Sequence, residues 1–284
     1  ALEMLARGVN FVVPHGTWYE NTKDVVFPPE LSYRSARFGA EMPRLDAWLA
    51  RCCAYLQGGV RVADTGLLVP VESVTAGSVF DDECDPYTGG RCDSPAGYLD
   101  LGESLVRQGH DLVYVHPLAV RRGRLSSLKT VVLPDMRVIS ADVAGQLVAF
   151  QRAGGVVLAE GVLPSQASEP GRDDLVRAAM RALFPDGPGA SPGTAARSLG
   201  FAGFAAPPRY LRRLRDGRQI LFLANTADAM ADGELAIPNL ATYEGYDPLR
   251  DVTFVPLQRQ VEDATVVRLR LPAVAGLFLL EAPR

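Results

Sequence analysis

The sequence predicts an α/β protein in three consecutive parts: a short helix, strand and loop repeat, a doubly wound parallel-sheet domain, and a small β-sandwich. Three observations carry this reading. An amphipathic opening stretch runs into a short apolar segment and then a long polar, aromatic loop. The middle of the chain alternates apolar runs with amphipathic helical patterns, and beyond Pro208 only strand patterns remain. At 284 residues the chain exceeds the usual length of one domain, so more than one core is expected.

Composition narrows the function classes. Hydrophobic residues make up 48% and charged residues 22%, the profile of a globular chain rather than a disordered one. The net charge of -4 comes from 33 acidic and 29 basic residues interspersed along the sequence, which leaves no basic stripe for a phosphate backbone, so nucleic acid is not an expected partner. No apolar run approaches the roughly 20 residues that span a bilayer, and a membrane partner is not expected either. The chain opens at Ala1 inside the amphipathic stretch ALEMLARG, which reads as an internal start with sequence expected upstream.

Each element has its own local cause. Residues 2–7 carry a helical pattern that Gly8 caps, and VNFVVP follows as a strand opening into the loop that starts at His15. A helix is expected from Met42 to Gln57, with Leu45, Trp48, Leu49, Cys52 and Leu56 on one face and a stop at Gly58 and Gly59. From residue 61 to 190, VADTGLLVP, DLVYV, KTVVLPD and GVVLAEG read as strands, with helical patterns in AGYLDLGESLVRQG, SADVAGQLVAFQRAG and DDLVRAAMRALF. Such alternation implies a parallel sheet covered on both faces. The Pro, Gly, Ala and Ser stretch from Asp186 to Thr194 reads as a flexible connection. From 205 to 284 short strands are separated by turn residues, and Asp216–Gly217 marks a tight hairpin.

Four cysteines are present. Cys52 and Cys53 lie on the predicted helix as packing residues, while Cys84 and Cys92 sit in an acidic, glycine-rich loop. Neither pair has zinc-ribbon spacing. A Cys84 to Cys92 bridge would close a short loop with little core and would fit an extracellular or periplasmic setting; two free thiols are the alternative.

The segments GVNFVVPHG, PPELSYR and WLARCCAYLQGGVRVAD, leading to Pro70, together resemble the end of the catalytic barrel in large bacterial glycoside hydrolases. The resemblance is to the multi-domain α-L-rhamnosidases and their β-galactosidase-like relatives, and it extends to LANTA and YEGYDPLRD near the carboxy terminus. It implies that residues 1–60 are the last strand and helices of a (β/α)-barrel. Residues 61–190 would then be a class I amidotransferase-like doubly wound domain, and 205–284 a carboxy-terminal β-sandwich. The function implied is the carboxy-terminal portion of a glycoside hydrolase acting on oligo- or polysaccharide. A non-catalytic carbohydrate-binding or oligomerisation module is the alternative. Glycosidases need two carboxylates flanking the scissile bond, and in the resembled barrels these sit on earlier strands, so no residue here is assigned a catalytic role.

What remains at the barrel mouth is His15, Trp18, Tyr19 and Glu20, with Glu30 and Tyr33 farther along the loop. Aromatic faces stack on sugar rings while His and Glu bond hydroxyls, so these six are the candidate substrate-binding residues. A structural His15, with Trp18 and Tyr19 as core plugs, is the competing reading. Nothing in the spacing of Glu20 and Glu30 sets the separation a catalytic pair requires. The doubly wound part lacks a cysteine after GVVLAEG, where Val162 stands instead, and His110 and His116 have no thiol partner in sequence order. No G-x-G-x-x-G follows VADTGLLVP, and the acidic run Asp81 to Asp85 lacks calcium-loop spacing, so neither cofactor nor metal is expected. Tyr243 and Tyr246 around Asp247 are read as hairpin packing rather than as a sugar platform. Expected partners are carbohydrate and either the remainder of a barrel or a second subunit. A homo-oligomer is possible, since the apolar face of VNFVVP needs cover.

Overall fold

The computed structural model describes residues 1–13, 32–35, 38–77, 96–189, 191–195 and 197–283. The chain forms two compact units, one of Ala1–Val62 with Phe201–Arg284 and one of Ala63–Gly200. It is a mixed α/β protein with both parallel and antiparallel strand pairing.

The chain enters through α1 (Leu2–Ala6), which buries Leu2, Leu5 and Ala6. Val9–Val13, read as a strand from its apolar run, is irregular backbone. Val12 packs inward while Phe11 and Val13 stay exposed. Helix α2 (Met42–Leu56) starts with a proline in its first turn, where the missing N–H costs nothing, and buries Cys52 and Leu56 completely. Trp48 and Leu49 are half-buried on the same face, and Leu45 is exposed. The chain then turns at Gly59, whose φ of +61° and closeness to the Leu214 carbonyl leave no space for a side chain. Arg213, itself buried, donates from Nε to the Gly58 carbonyl at 3.0 Å and secures that turn. Beyond it lies β1 (Val60–Val62).

The second unit runs through β2 (Thr65–Leu68), α3 (Val71–Gly77), α4 (Ala96–Arg107), β3 (Leu112–Val115), α5 (Pro117–Arg121) and β4 (Thr130–Leu133). It continues through β5 (Val138–Ile139), α6 (Ala141–Arg152), β6 (Val156–Ala159), β7 (Gln166–Ala167) and α7 (Asp173–Leu183). Its main sheet is parallel, in the order β3-β2-β4-β6. Side chains alternate between its faces. Leu68, Val131, Leu133 and Val157 meet Val120 of α5, Val143 and Leu147 of α6, and Val176 and Met180 of α7. Leu67, Val132 and Leu158 point the other way, to Leu101 and Leu105 of α4. Both faces are therefore dry, which is why these strands read as continuous apolar runs.

The Pro, Gly, Ala and Ser stretch expected as a flexible connection is exposed or half-buried over its described residues except Pro192, and the chain becomes buried just beyond it. Pro192–Thr194 forms a 3-10 turn, and Ala195, Ser198 and Leu199 are buried. Ala195 joins α4 in covering its face of the sheet, because small residues approach a sheet closely and that face has apolar area left over. Buried polar groups at the amino ends of the strands secure the segment. The Asp64 carbonyl accepts the Lys129 and Thr130 N–H groups at 2.8 and 3.0 Å. Its carboxylate accepts Ser198 Oγ–H and lies 3.3 Å from Lys129 Nζ. His110 is buried beside them in sequence register, just ahead of β3. Burial first, and the Arg197 charge second, hold its imidazole below the ordinary 6.5, with a backbone group at Gly193 offsetting the effect only in part.

The first unit resumes with β8 (Gly200–Ala202), β9 (Arg209–Arg215), β10 (Arg218–Asn225), β11 (Ala231–Ile237) and β12 (Tyr243–Asp247). It ends with β13 (Val252–Phe254), β14 (Gln258–Val261), β15 (Ala264–Leu271) and β16 (Ala275–Glu281). These strands form a six-stranded sheet, β1-β9-β10-β16-β12-β13, and a four-stranded sheet, β14-β15-β11-β8. The β9–β10 hairpin turns on Asp216 and Gly217, both at positive φ, as that dipeptide predicts. Leu211, Ile220, Phe222 and Phe278 pack against α1 and α2. Leu221, Leu223 and Leu279 face the opposite way, and the four-stranded sheet buries Leu235, Ile237, Val267 and Leu269. The rings of Phe201 in β8 and Tyr210 in β9, 5.6 Å apart, join the two sheets. Residues 1–60, assigned from sequence to a barrel end, thus share a compact unit with these sheets, and VADTGLLVP contributes only Thr65–Leu68 to the parallel sheet. Val62, the first residue of that run, lies in β1, which pairs antiparallel with β9 next to the Gly58–Gly59 turn that Arg213 bonds.

Two predictions follow from how these units are held. Asn225, almost fully buried, donates through Nδ2 to the carbonyls of Ala229, Leu271 and Pro272 at 2.8, 3.1 and 2.9 Å and accepts the Ala227 N–H at 3.1 Å. Asn225→Ala strands those groups, and equilibrium denaturation is expected to show a loss of about 2–4 kcal/mol; a change within error would remove this network from the stability of the unit. For His110, both states are neutral above 6.5, and as pH falls below that value the unfolded chain takes up the proton first. Stability is therefore expected to decline from about pH 7 to about pH 5 in urea titrations, and the decline should be smaller in His110→Gln.

Candidate functional site

Five of the six candidate sugar-binding residues, His15, Trp18, Tyr19, Glu20 and Glu30, lie outside the described residues, as do Cys84, Cys92 and the run Asp81 to Asp85. Tyr33 lies in a short turn and is 66% exposed. Arg34 Nε donates to its hydroxyl at 3.0 Å, and the guanidinium sits 5.4 Å from its ring centroid. That contact leaves an aromatic face and a cation side by side at the surface.

The second unit offers no nucleophile in the position an amidotransferase would use. The turn after β6 holds Glu160, Gly161 and Val162, braced where Val162 N donates to Asp135 Oδ1 at 3.1 Å. His110 precedes β3 and His116 follows it, so roughly 20 Å of extended chain separates them and they form no dyad. Both described cysteines, Cys52 and Cys53, belong to α2 of the other unit. Burial pushes the Cys52 thiol up to about 12, the reverse of an activated nucleophile. Among the described residues, no group of three His, Cys, Asp or Glu side chains could hold a metal.

What the sheet does present is a cavity of about 500 Å³ beyond the carboxyl ends of its strands, the place where open parallel sheets keep their ligands. Segments that leave different strands converge on it, including Glu72, His116, Arg121, Val138 and Ser168.

The first unit has a groove of about 620 Å³ with Trp48, Leu249, Phe254, Pro272 and Leu277 among its apolar walls and Asp247, Arg250 and Arg270 as its charged groups. The far end of the Phe254 ring lies against Gly245, where a Cβ would overlap it. The charges are already engaged. Asp247 Oδ1 accepts the N–H groups of Leu249 and Arg250 at 2.8 and 3.2 Å, Oδ2 accepts Arg250 at 2.9 Å, and Arg270 lies 3.5 Å from Asp232. Such a groove can seat the apolar face of a ligand but holds no group poised for proton transfer. Tyr243 and Tyr246 are interior, as the packing reading expects. Tyr246 Oη donates to Asp251 at 2.8 Å, and burial pushes both phenols up to about 12. The sequence treats Trp48 as core and VTFVPL as a plain strand, and an apolar run without alternation gives no sign that its residues meet solvent, as Val252–Phe254 do.

No protein-family model matches the chain, and no curated protein matches its sequence. Solved structures do share its fold. A rhamnosidase from Novosphingobium sp. PP1Y matches 99% of this chain with a TM-score of 0.68 and 18% identity, using 29% of its own length. A β-galactosidase from Bacillus circulans sp. alkalophilus matches 87% with a TM-score of 0.51 and 12% identity, using 45% of its own. For α-L-fucosidase isoenzyme 2 from Paenibacillus thiaminolyticus the corresponding values are 87%, 0.51, 12% and 52%. The chain spans less than a third of the rhamnosidase and about half of the other two. At these identities the likeness is one of fold, shared with part of each of the three structures.

Proposed function

We propose that this chain is the carboxy-terminal portion of a glycoside hydrolase acting on oligo- or polysaccharide. The observation that carries the reading is the shared fold along 99% of the chain with part of a rhamnosidase. In this reading residues 1–60 complete a (β/α)-barrel, and His15, Trp18, Tyr19, Glu20, Glu30 and Tyr33 line one wall of the sugar site. Residues 61–190 form an amidotransferase-like domain without its nucleophile, and 205–284 a supporting β-domain. The hydrolytic carboxylates, which must stand about 5 to 9.5 Å apart across the bond, belong to the remainder of the barrel or to a second subunit. The exposed Tyr33 and its neighbouring guanidinium fit a role in holding sugar rather than cleaving it.

A second reading, a non-catalytic carbohydrate-binding or oligomerisation module, draws on the first-unit groove, where Trp48 and Phe254 stand among charges that are already paired. Edge strand β13 and the residues after it also expose Val252, Phe254, Val255 and Leu257, an apolar rim suited to association.

A panel of nitrophenyl glycosides separates these readings. The chain alone is expected to give no turnover above buffer; turnover that disappears in Glu20→Gln or Glu30→Gln would place the catalytic pair in the loop and overturn the division of labour. In the longer protein, Trp18→Ala and Tyr33→Ala are each expected to raise KM about tenfold with kcat little changed, the mark of lost uniform binding. An unchanged KM in both would take the loop out of the sugar site.

A further inference from the structure

The four parallel strands of the second unit all discharge toward one place. β2 ends at Leu68 and leads to Val71, Glu72 and Thr75 of α3; β3 ends at Val115 and leads through His116 to α5. The continuations of β4 and β6 return as β5 and β7, which pair with each other through Val138–Gln166 and Ile139–Ala167. The cavity of about 500 Å³ lies among these four exits. In the order β3-β2-β4-β6 the connections diverge between β2 and β4, and that divergence is what opens a crevice at the carboxyl edge of such a sheet.

The chemistry of the walls selects the ligand. Among the described residues, Glu72 and Arg121 are the fixed charges of the lining, and they pair at 3.3 Å, with the Glu72 side chain only 12% exposed. Their charges cancel, so the described walls favour neither an anion nor a cation. Glu72 Oε2 is buried and has no hydrogen-bond partner among the described residues, an acceptor left short of a donor. His116 Nδ1 accepts the Leu118 N–H at 3.1 Å, which places the proton of the neutral ring on Nε2 as a donor. Thr75 donates to the Val71 carbonyl at 2.9 Å and Ser168 to Glu169 at 3.2 Å, leaving both hydroxyl oxygens as acceptors. Val71, Pro117 and Val138 supply an apolar floor. Donors and acceptors around a floor of carbon, with no net charge, match a molecule whose hydroxyls both donate and accept and whose ring carbons present an apolar face.

We propose that this cavity binds a neutral, polyhydroxylated small molecule of monosaccharide size. It is a binding site without chemistry of its own, and it stands independently of the sugar site proposed for the loop of the other unit.

The test uses the full chain and ligand-observed NMR with D-glucose, D-galactose and L-rhamnose, each at about 10 mM to cover weak affinities, with phosphate and acetate as anionic probes. At least one sugar is expected to bind saturably. Ala76→Trp and Gln166→Trp, two exposed positions lining the cavity, should each weaken it about tenfold or more while the melting curve keeps its shape. Trp48→Ala, in the groove of the other unit, should leave it unchanged. The proposal is overturned if no sugar binds, if binding survives both tryptophan substitutions, if it is lost in Trp48→Ala, or if phosphate or acetate competes for the site.

Discussion

Strand β10 has no face left for solvent. Ile220, Phe222 and Ala224 are buried toward α1 and α2, and Leu221 and Leu223 are buried on the other side. A strand in that position must be covered twice, and each buried aliphatic or aromatic side chain contributes about 1.5–3 kcal/mol only if both covers are present. The cover on one side comes from the first residues of the chain and on the other from its last strands. The requirement brings Ala1–Val62 together with Phe201–Arg284 although the whole second unit lies between them in sequence. The ring of Phe278, 5.1 Å from that of Tyr55 and 4.8 Å from that of Phe222 between centroids, forms the seam where helix meets sheet. Closing so long an excursion costs little more entropy than closing a short one, since the cost grows only with the logarithm of loop length.

In the second unit the same double cover acts on a parallel sheet, and the two ends of its strands take different roles. At the amino ends, Asp64 and Ser198 bury their polar groups in mutual bonds and secure the returning chain. A buried polar cluster of this kind serves order rather than reaction, because every bond made there would have to be broken to free a group for chemistry. At the carboxyl ends the connections part and leave an open cavity. The contrast explains why His110 and His116, so close in sequence, have unrelated environments: one ring is enclosed and kept neutral, the other is exposed with its tautomer pinned by a backbone N–H.

Much of this was legible in the residues. Alternation of apolar strands with amphipathic helices identified a sheet covered on both faces, and Asp216–Gly217 located a hairpin to the residue, since both patterns are local consequences of side-chain period and backbone sterics. The absence of a cysteine after GVVLAEG likewise sufficed to argue against nucleophilic chemistry at that turn. The walls of the two cavities were not legible. Trp48 reads as core because helical spacing shows which residues share a face, not how far that face extends beneath its cover. Glu72, Arg121 and Ser168 are unremarked polar residues until the exits of different strands place them around one space.

The sequence by itself determined the kinds of element, their order, and which side of each must be buried, because these depend on periods of a few residues. Only the tertiary structure decided which surface does the burying. Val62 opens the run VADTGLLVP, read as a strand of the parallel sheet, but belongs to β1, which pairs antiparallel with β9, and the helix face of Cys52 and Leu56 covers a sheet formed far downstream. Ala195, directly after the stretch whose composition suits a flexible linker, docks because the face under α4 still had apolar area to cover. The hydrophobic effect is non-directional: a sequence states how much surface must leave water, and the choice of partner belongs to the geometry of the assembled chain.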